Sequence, residues 1–133
     1  MAGHGAISSY RDLRVWQAGV DLVEEIYRLT QSFPKHEIYG LAGQMQRTAV
    51  SVSSNIAEGH VRRYSKRYLH HLSVAQASLA ELETQIEIAA RPAYLPPEKA
   101  GQLRDRTGLL GRQLHALWNA LVAKRPATPT PDP

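Results

Sequence analysis

Residues 65–90 read SKRYLHHLSVAQASLAELETQIEIAA, and within them Tyr68, Leu72, Ala75, Leu79, Leu82, Ile86 and Ala89 recur at intervals of 4, 3, 4, 3, 4 and 3. Alternation of three and four keeps side chains on one face of a 3.6-residue helix, so the spacing predicts one long amphipathic helix. Ser65 reads as its N-cap. Pro92, Pro96 and Pro97 stop the helix after about Ala90.

Working outward, three more segments carry the same signal. A first helix is expected from about Asp12 to Gln31, with Leu13, Trp16, Val20, Val23, Tyr27 and Thr30 as its core stripe and Pro34 as its stop. A second is expected from about Ile38 to Ala57, striped by Leu41, Met45, Thr48, Val52 and Ile56, with Gly59 suited to a C-terminal cap. A fourth runs from about Pro97 to Val122 on Leu103, Thr107, Leu110, Leu114, Leu117 and Leu121; Pro97 is tolerated in the first turn. No β-type alternation competes. Four such helices with short connections imply an all-α, antiparallel up-and-down four-helix bundle over residues 10–123. Residues 1–9 read as a loose N-terminal arm and residues 124–133, ending RPATPTPDP, as an extended proline-rich tail.

The chain has 133 residues, 43% of them apolar and 21% charged, which is the composition of one globular domain. It has no cysteine, which excludes a disulfide scaffold, a thiolate metal site and a cysteine nucleophile. No apolar run approaches the ~18 residues of a membrane-spanning helix and no signal-peptide core is visible, so a cytoplasmic protein is expected.

The first helix holds more apolar surface than one core needs. Val15, Leu22, Ile26 and Leu29 form a second stripe, roughly 130° from the first at 100° per residue. Either a neighbouring helix of the same bundle or a second subunit must cover it, and the surplus favours subunit contact. On the third helix, Ser73, Ala77, Ala80 and Thr84 form a stripe of small residues away from the core stripe.

Sequence patterns for catalysis are absent. Carboxylate-bridged di-iron bundles need Glu-x-x-His on two helices, and no glutamate here has a histidine three residues later. There is no G-x-S-x-G and no phosphate-binding GxxxxGK[ST] loop. No metal, no cofactor and no enzymatic activity are expected. The densest polar group lies on the second helix: Arg47, Ser51, Ser54 and Glu58 share one side, with Asn55 at the edge of the core stripe. Glu58 near a helix C-terminus is unfavourable unless paired. Arg47, Asn55 and Glu58 therefore read as a hydrogen-bonded structural network fixing helix register or a subunit contact, with ligand contact as the lesser alternative.

Charge is concentrated. Sixteen Lys and Arg against twelve Asp and Glu leave +4, and the acid-free stretch from Gly59 to Ala80 holds all of that excess in Arg62, Arg63, Lys66 and Arg67. Such a patch suits a phosphate backbone, or serves only to keep a turn solvated. Tyr64 and Tyr68 interleave the cations; Tyr68 belongs to the core stripe, and Tyr64 is placed to stack on an exposed base.

Four ordered motifs resemble a known family. Residues 12–18 (DLRVWQA) are similar to its DLxVWQxA opening, and residues 33–41 (FPKHEIYGL) to its FPxxExYGL. Residues 47–59 (RTAVSVSSNIAEG) resemble its RxAxSxxxNIAEG, and residues 72–85 its LxxAxxSLxELETQ. This is the four-helix-bundle family first known from intervening sequences in bacterial large-subunit ribosomal RNA genes, related to accessory proteins of diversity-generating retroelements. The resemblance covers about Tyr10 to Leu121. It implies a left-handed bundle and a ring-shaped homo-oligomer, a pentamer, with no reaction. The expected function is binding of nucleic acid, as structured RNA, through Arg62, Arg63, Lys66 and Arg67. The alternative is a protein-interaction scaffold ring without a nucleic-acid ligand.

Overall fold

The structure, a computed structural model, describes residues 7–124. Four helices follow in order: α1 (Arg14–Thr30), α2 (Leu41–Val61), α3 (Arg67–Ala90) and α4 (Pro97–Ala123), with 3-10 turns at Tyr10–Asp12 and Lys35–Glu37. Consecutive helices pack side by side, α2 against α3 most extensively, and α4 returns to α1 with the least contact. This is the expected all-α, antiparallel up-and-down arrangement. Residues 1–6 of the expected arm and nearly all of the expected tail lie outside the described residues. Ser8 and Ser9 are part of the fold's edge: the Asp12 carboxylate accepts from both backbone N–H groups, at 3.0 and 3.1 Å, and Ser9 Oγ accepts from Arg11 N.

The stripe of α3 is buried at all seven positions. On α2, Met45, Thr48, Val52 and Ile56 are buried, and on α4 Leu103, Thr107, Leu110 and Leu114, with Leu117 and Leu121 packed on the core's edge. Each large side chain wholly removed from water contributes about 1.5–3 kcal/mol, so this stripe set holds the bundle together.

On α1 the two stripes exchange roles. Val15, Leu22 and Ile26 are buried in the core of the single chain, and Leu29 packs against that core. They are not a free subunit-contact face. Val20 and Tyr27, expected inside, are 39% and 44% exposed, with Trp16 and Val23 half-buried beside them. The cause is Gly19. The true core row is Val15, Gly19, Leu22, Ile26 and Thr30, with the same three–four spacing, and the glycine lets α1 sit close against α2. A Cβ at Gly19 would stand 3.3 Å from Ser53 Cβ.

Helix ends also shift. α2 continues to Val61, so Gly59 lies inside the helix instead of capping it, and the turn after it is correspondingly shorter. α3 starts at Arg67, although Ser65 Oγ does accept from Arg67 N at 3.2 Å. At the far end of α3 the chain turns through Ala93 at φ 65°, with Tyr94 N donating to Ala89 O and Ala93 N to Ala90 O, both at 3.0 Å. Tyr94 then packs on Phe33, ring centroids 5.4 Å apart, and its hydroxyl donates to Glu37 Oε2 at 3.3 Å. Glu37 Oε1 accepts from Leu41 N and so closes the start of α2.

Candidate functional site

An up-and-down bundle places the start of α1, the end of α2, the start of α3 and the end of α4 together. The six-residue basic run spans the α2–α3 turn and the first residue of α3 at that end, and Arg11, Arg14 and Lys124 add charge there. Arg62 and Arg67 are exposed. Arg62 Nη1 donates to Glu58 O at 3.2 Å and Arg63 Nη1 to His60 O at 3.1 Å, so both guanidinium groups satisfy carbonyls left over at the end of α2. Among the described residues Arg62, Arg63 and Arg67 make no ion pair with a carboxylate. Lys66 is exposed in the same turn. The nearest acid on the 3-10 turn, Asp12, is held by the Ser8 and Ser9 N–H groups, which lower its carboxyl below the ordinary value.

Beneath the turn lies a buried pair. His60 is 5% exposed, its Nδ1 lies 3.5 Å from the Tyr68 hydroxyl, and its Nε2 has no partner among the described residues. Burial lowers the imidazole pKa, the Arg63 charge lowers it further, and Asp12 opposes both. Burial and the cationic surface thus both favour the neutral ring. Tyr68 is buried as its stripe position requires, whereas Tyr64 is 91% exposed.

The polar residues of α2 sort differently from the expectation. Asn55 Nδ2 donates to Ser51 O (2.9 Å) and Ser51 Oγ (3.2 Å), which leaves Asn55 Oδ1 to accept from His71 Nδ1–H on α3 at 3.0 Å. Ser51 Oγ in turn meets Ser78 Oγ at 2.8 Å, and Gln85 Nε2 donates to Thr48 Oγ1 at 3.1 Å. These bonds fix the register of α2 on α3. Glu58 stands 3.9 Å from His71 Nδ1 and is otherwise exposed. Arg47 takes no part: it is exposed, eleven residues or about 16 Å along the axis from Glu58, and makes no hydrogen bond or ion pair with any described residue. It borders a shallow cleft of about 240 Å³ with Gln44, Thr48, Ser51, Ser78 and Glu81. The sequence reading missed His71, Ser78 and Gln85 as partners. Only part of their signal was present: Ser51 and Ser78 lie at nearly equal chain distances from the turn, as an antiparallel hairpin demands, whereas Gln85 lies five residues farther from it than Thr48.

Among the described residues no group of three or more His, Asp or Glu side chains is placed to hold a metal ion, and no helix is long and apolar enough to cross a membrane.

Fold and motifs define a class, the all-α antiparallel four-helix bundle with a basic hairpin turn. The particular family follows from comparison: residues 11–116 match the family model described as 23S rRNA-intervening sequence protein, and the chain belongs to that family. Among solved structures it is similar to a protein with unknown function from the S23 ribosomal protein family of Bacteroides thetaiotaomicron. The two share 16% identity and a TM-score of 0.70, over 79% of this chain and 95% of that one. At that identity the likeness is one of fold. No curated protein matches the chain.

Proposed function

We propose that this chain is a non-enzymatic, cytoplasmic RNA-binding protein whose α2–α3 turn holds the phosphate backbone through Arg62, Arg63, Lys66 and Arg67. The observation that carries the reading is the presentation of this turn: it lies at one end of the bundle with Arg62, Lys66 and Arg67 exposed, and among the described residues Arg62, Arg63 and Arg67 pair with no carboxylate. Binding would work by phosphate neutralisation and counterion release, strong at low salt and largely indifferent to sequence. Structured RNA is the class of ligand the family resemblance favours.

The same reading makes the chain a subunit of a homo-oligomeric ring, a pentamer, in which each turn is repeated and weak phosphate sites act together. The surface that supports assembly is the outer face of α1, where Val20 and Tyr27 are exposed beside half-buried Trp16 and Val23. Native mass spectrometry with and without added RNA tests both parts. The expected result is one oligomer that gains RNA mass, and a Val20→Glu, Tyr27→Glu protein that remains helical but runs as monomer. An oligomer that never takes up RNA would favour the scaffold reading, in which the ring displays repeated surfaces to a protein.

A further inference from the structure

We propose that Arg63 and Tyr64 form a stacking platform for one unpaired RNA base, so that the turn selects looped or single-stranded segments over continuous duplex; the inference rests on the RNA reading above. Tyr64, an aromatic tip in the middle of the cationic run, is 91% exposed, and Val61, just before the run, is 64% exposed. The turn cannot fold this tip back easily, because it is pinned on both sides. Arg62 N donates to Gly59 O (3.0 Å), Arg63 N to His60 O (3.1 Å) and Ser65 N to Arg62 O (3.0 Å). Ser65 Oγ also donates to Arg62 O at 2.9 Å, and buried Tyr68 anchors the start of α3.

The ring is prepared on one side only. The Arg63 guanidinium lies over Tyr64, 4.8 Å from the ring centroid, and is itself tied to the His60 carbonyl at 3.1 Å. A cation over one face of an aromatic ring is a favourable, ordered arrangement, and the exposure of the side chain leaves the opposite face open. A base stacked there would lie on a rigid surface with phosphate-binding cations on either side of it in the chain. Every base offers a π-face, so the platform has no sequence preference. In a continuous duplex the bases are already stacked and only backbone and groove edges are presented, so the platform has nothing to take. This separates two roles within six residues: Arg62, Arg63, Lys66 and Arg67 hold phosphates of any RNA, and Tyr64, backed by Arg63, reads whether a base is unpaired.

The test is fluorescence anisotropy with two RNAs of matched length, a hairpin with an unpaired loop and a fully paired duplex, at one salt concentration. Tyr64→Ala should weaken loop binding by about tenfold or more and leave duplex binding within about twofold, while Tyr64→Phe retains the loop preference. Tyr39→Ala removes an equally exposed tyrosine from the opposite end of the bundle, 95% exposed, and should change neither. Circular dichroism confirms that each variant is folded. Wild type binding both RNAs with Tyr64→Ala silent, or weakened equally on both, would overturn the platform and leave the phosphate reading standing. Wild type binding neither RNA would overturn both.

Discussion

Gly59 of α2 lies directly against His71 of α3: a Cβ added at the glycine would stand 3.0 Å from His71 Cβ and 3.1 Å from Tyr68 Cδ1. The glycine of the NIAEG motif is therefore a spacer that lets the α2–α3 hairpin close just below its basic turn. Glycine to alanine inside a helix ordinarily gains about 1 kcal/mol, but overpacking a closed contact costs about 1–3 kcal/mol. Gly59→Ala should therefore lose up to about 2 kcal/mol of net stability in urea unfolding. Gly101 on α4 has no atom within 4 Å of the same construction, so Gly101→Ala should gain about 0.5–1 kcal/mol. Equal effects at the two sites would contradict the spacer role.

Asn55 and Glu58 should separate in the same assay. Asn55→Ala removes the acceptor of the His71 Nδ1–H and the tie to Ser51, leaving a mostly covered donor unmet, at about 1–3 kcal/mol. Glu58→Ala removes only an exposed, long contact at 3.9 Å, and near neutral pH it should stay within about 0.5 kcal/mol of wild type. A larger loss at Glu58 than at Asn55 would show that the network is wired through the carboxylate.

Protonation of His60 should unsettle the end of the bundle that carries the turn. Its folded-state pKa lies below 6.5 because burial and Arg63 disfavour the charged ring. The unfolded chain therefore takes up that proton first, and stability from this group is complete above pH 6.5 and declines as pH falls from there toward the folded value. NMR titration of the His60 ring should give a midpoint below 6.5; one at or above it would refute a buried neutral ring.

Ala93 holds φ 65° at the end of α3, a left-handed conformation that costs an L-residue with a Cβ about 1–2 kcal/mol. The pair of 3.0 Å bonds from Tyr94 N and Ala93 N closes the helix in a Schellman-type cap, where glycine is preferred. After the entropy glycine loses on folding, Ala93→Gly should still stabilise by about 0.5–1 kcal/mol. A lower melting temperature would contradict this.

Three of the four helix stripes were legible in the sequence because their buried rows are nearly all large and apolar. α1 was misread for a definite reason: Gly19 interrupts the true row with no side chain at all, while Trp16, Val20, Val23 and Tyr27 give an unbroken apolar row at the same spacing that lines the outer edge. Periodicity counts side chains and does not register a glycine that serves as a point of contact. The extent of α2 was hidden similarly, because Gly59 resembles a cap and acts as a spacer. At the candidate site the basic run and the burial of Tyr68 were readable. The partners of Asn55 were not, since pairing across a hairpin depends on where the turn falls, and the turn had been placed several residues early.

The central claim, that the α2–α3 turn binds RNA through its phosphates, is tested most directly by a salt titration of RNA affinity, wild type against Arg62→Ala, Arg63→Ala, Arg67→Ala combined. Each phosphate contact with single-stranded RNA contributes about −0.7 to the slope of log affinity against log salt. The account predicts a steep wild-type slope and a triple variant shallower by about 2 for each subunit engaged, with oligomeric state and helical content unchanged because none of the three side chains is in the core. Equal slopes for the two proteins, or no binding by the wild type at low salt, would contradict it.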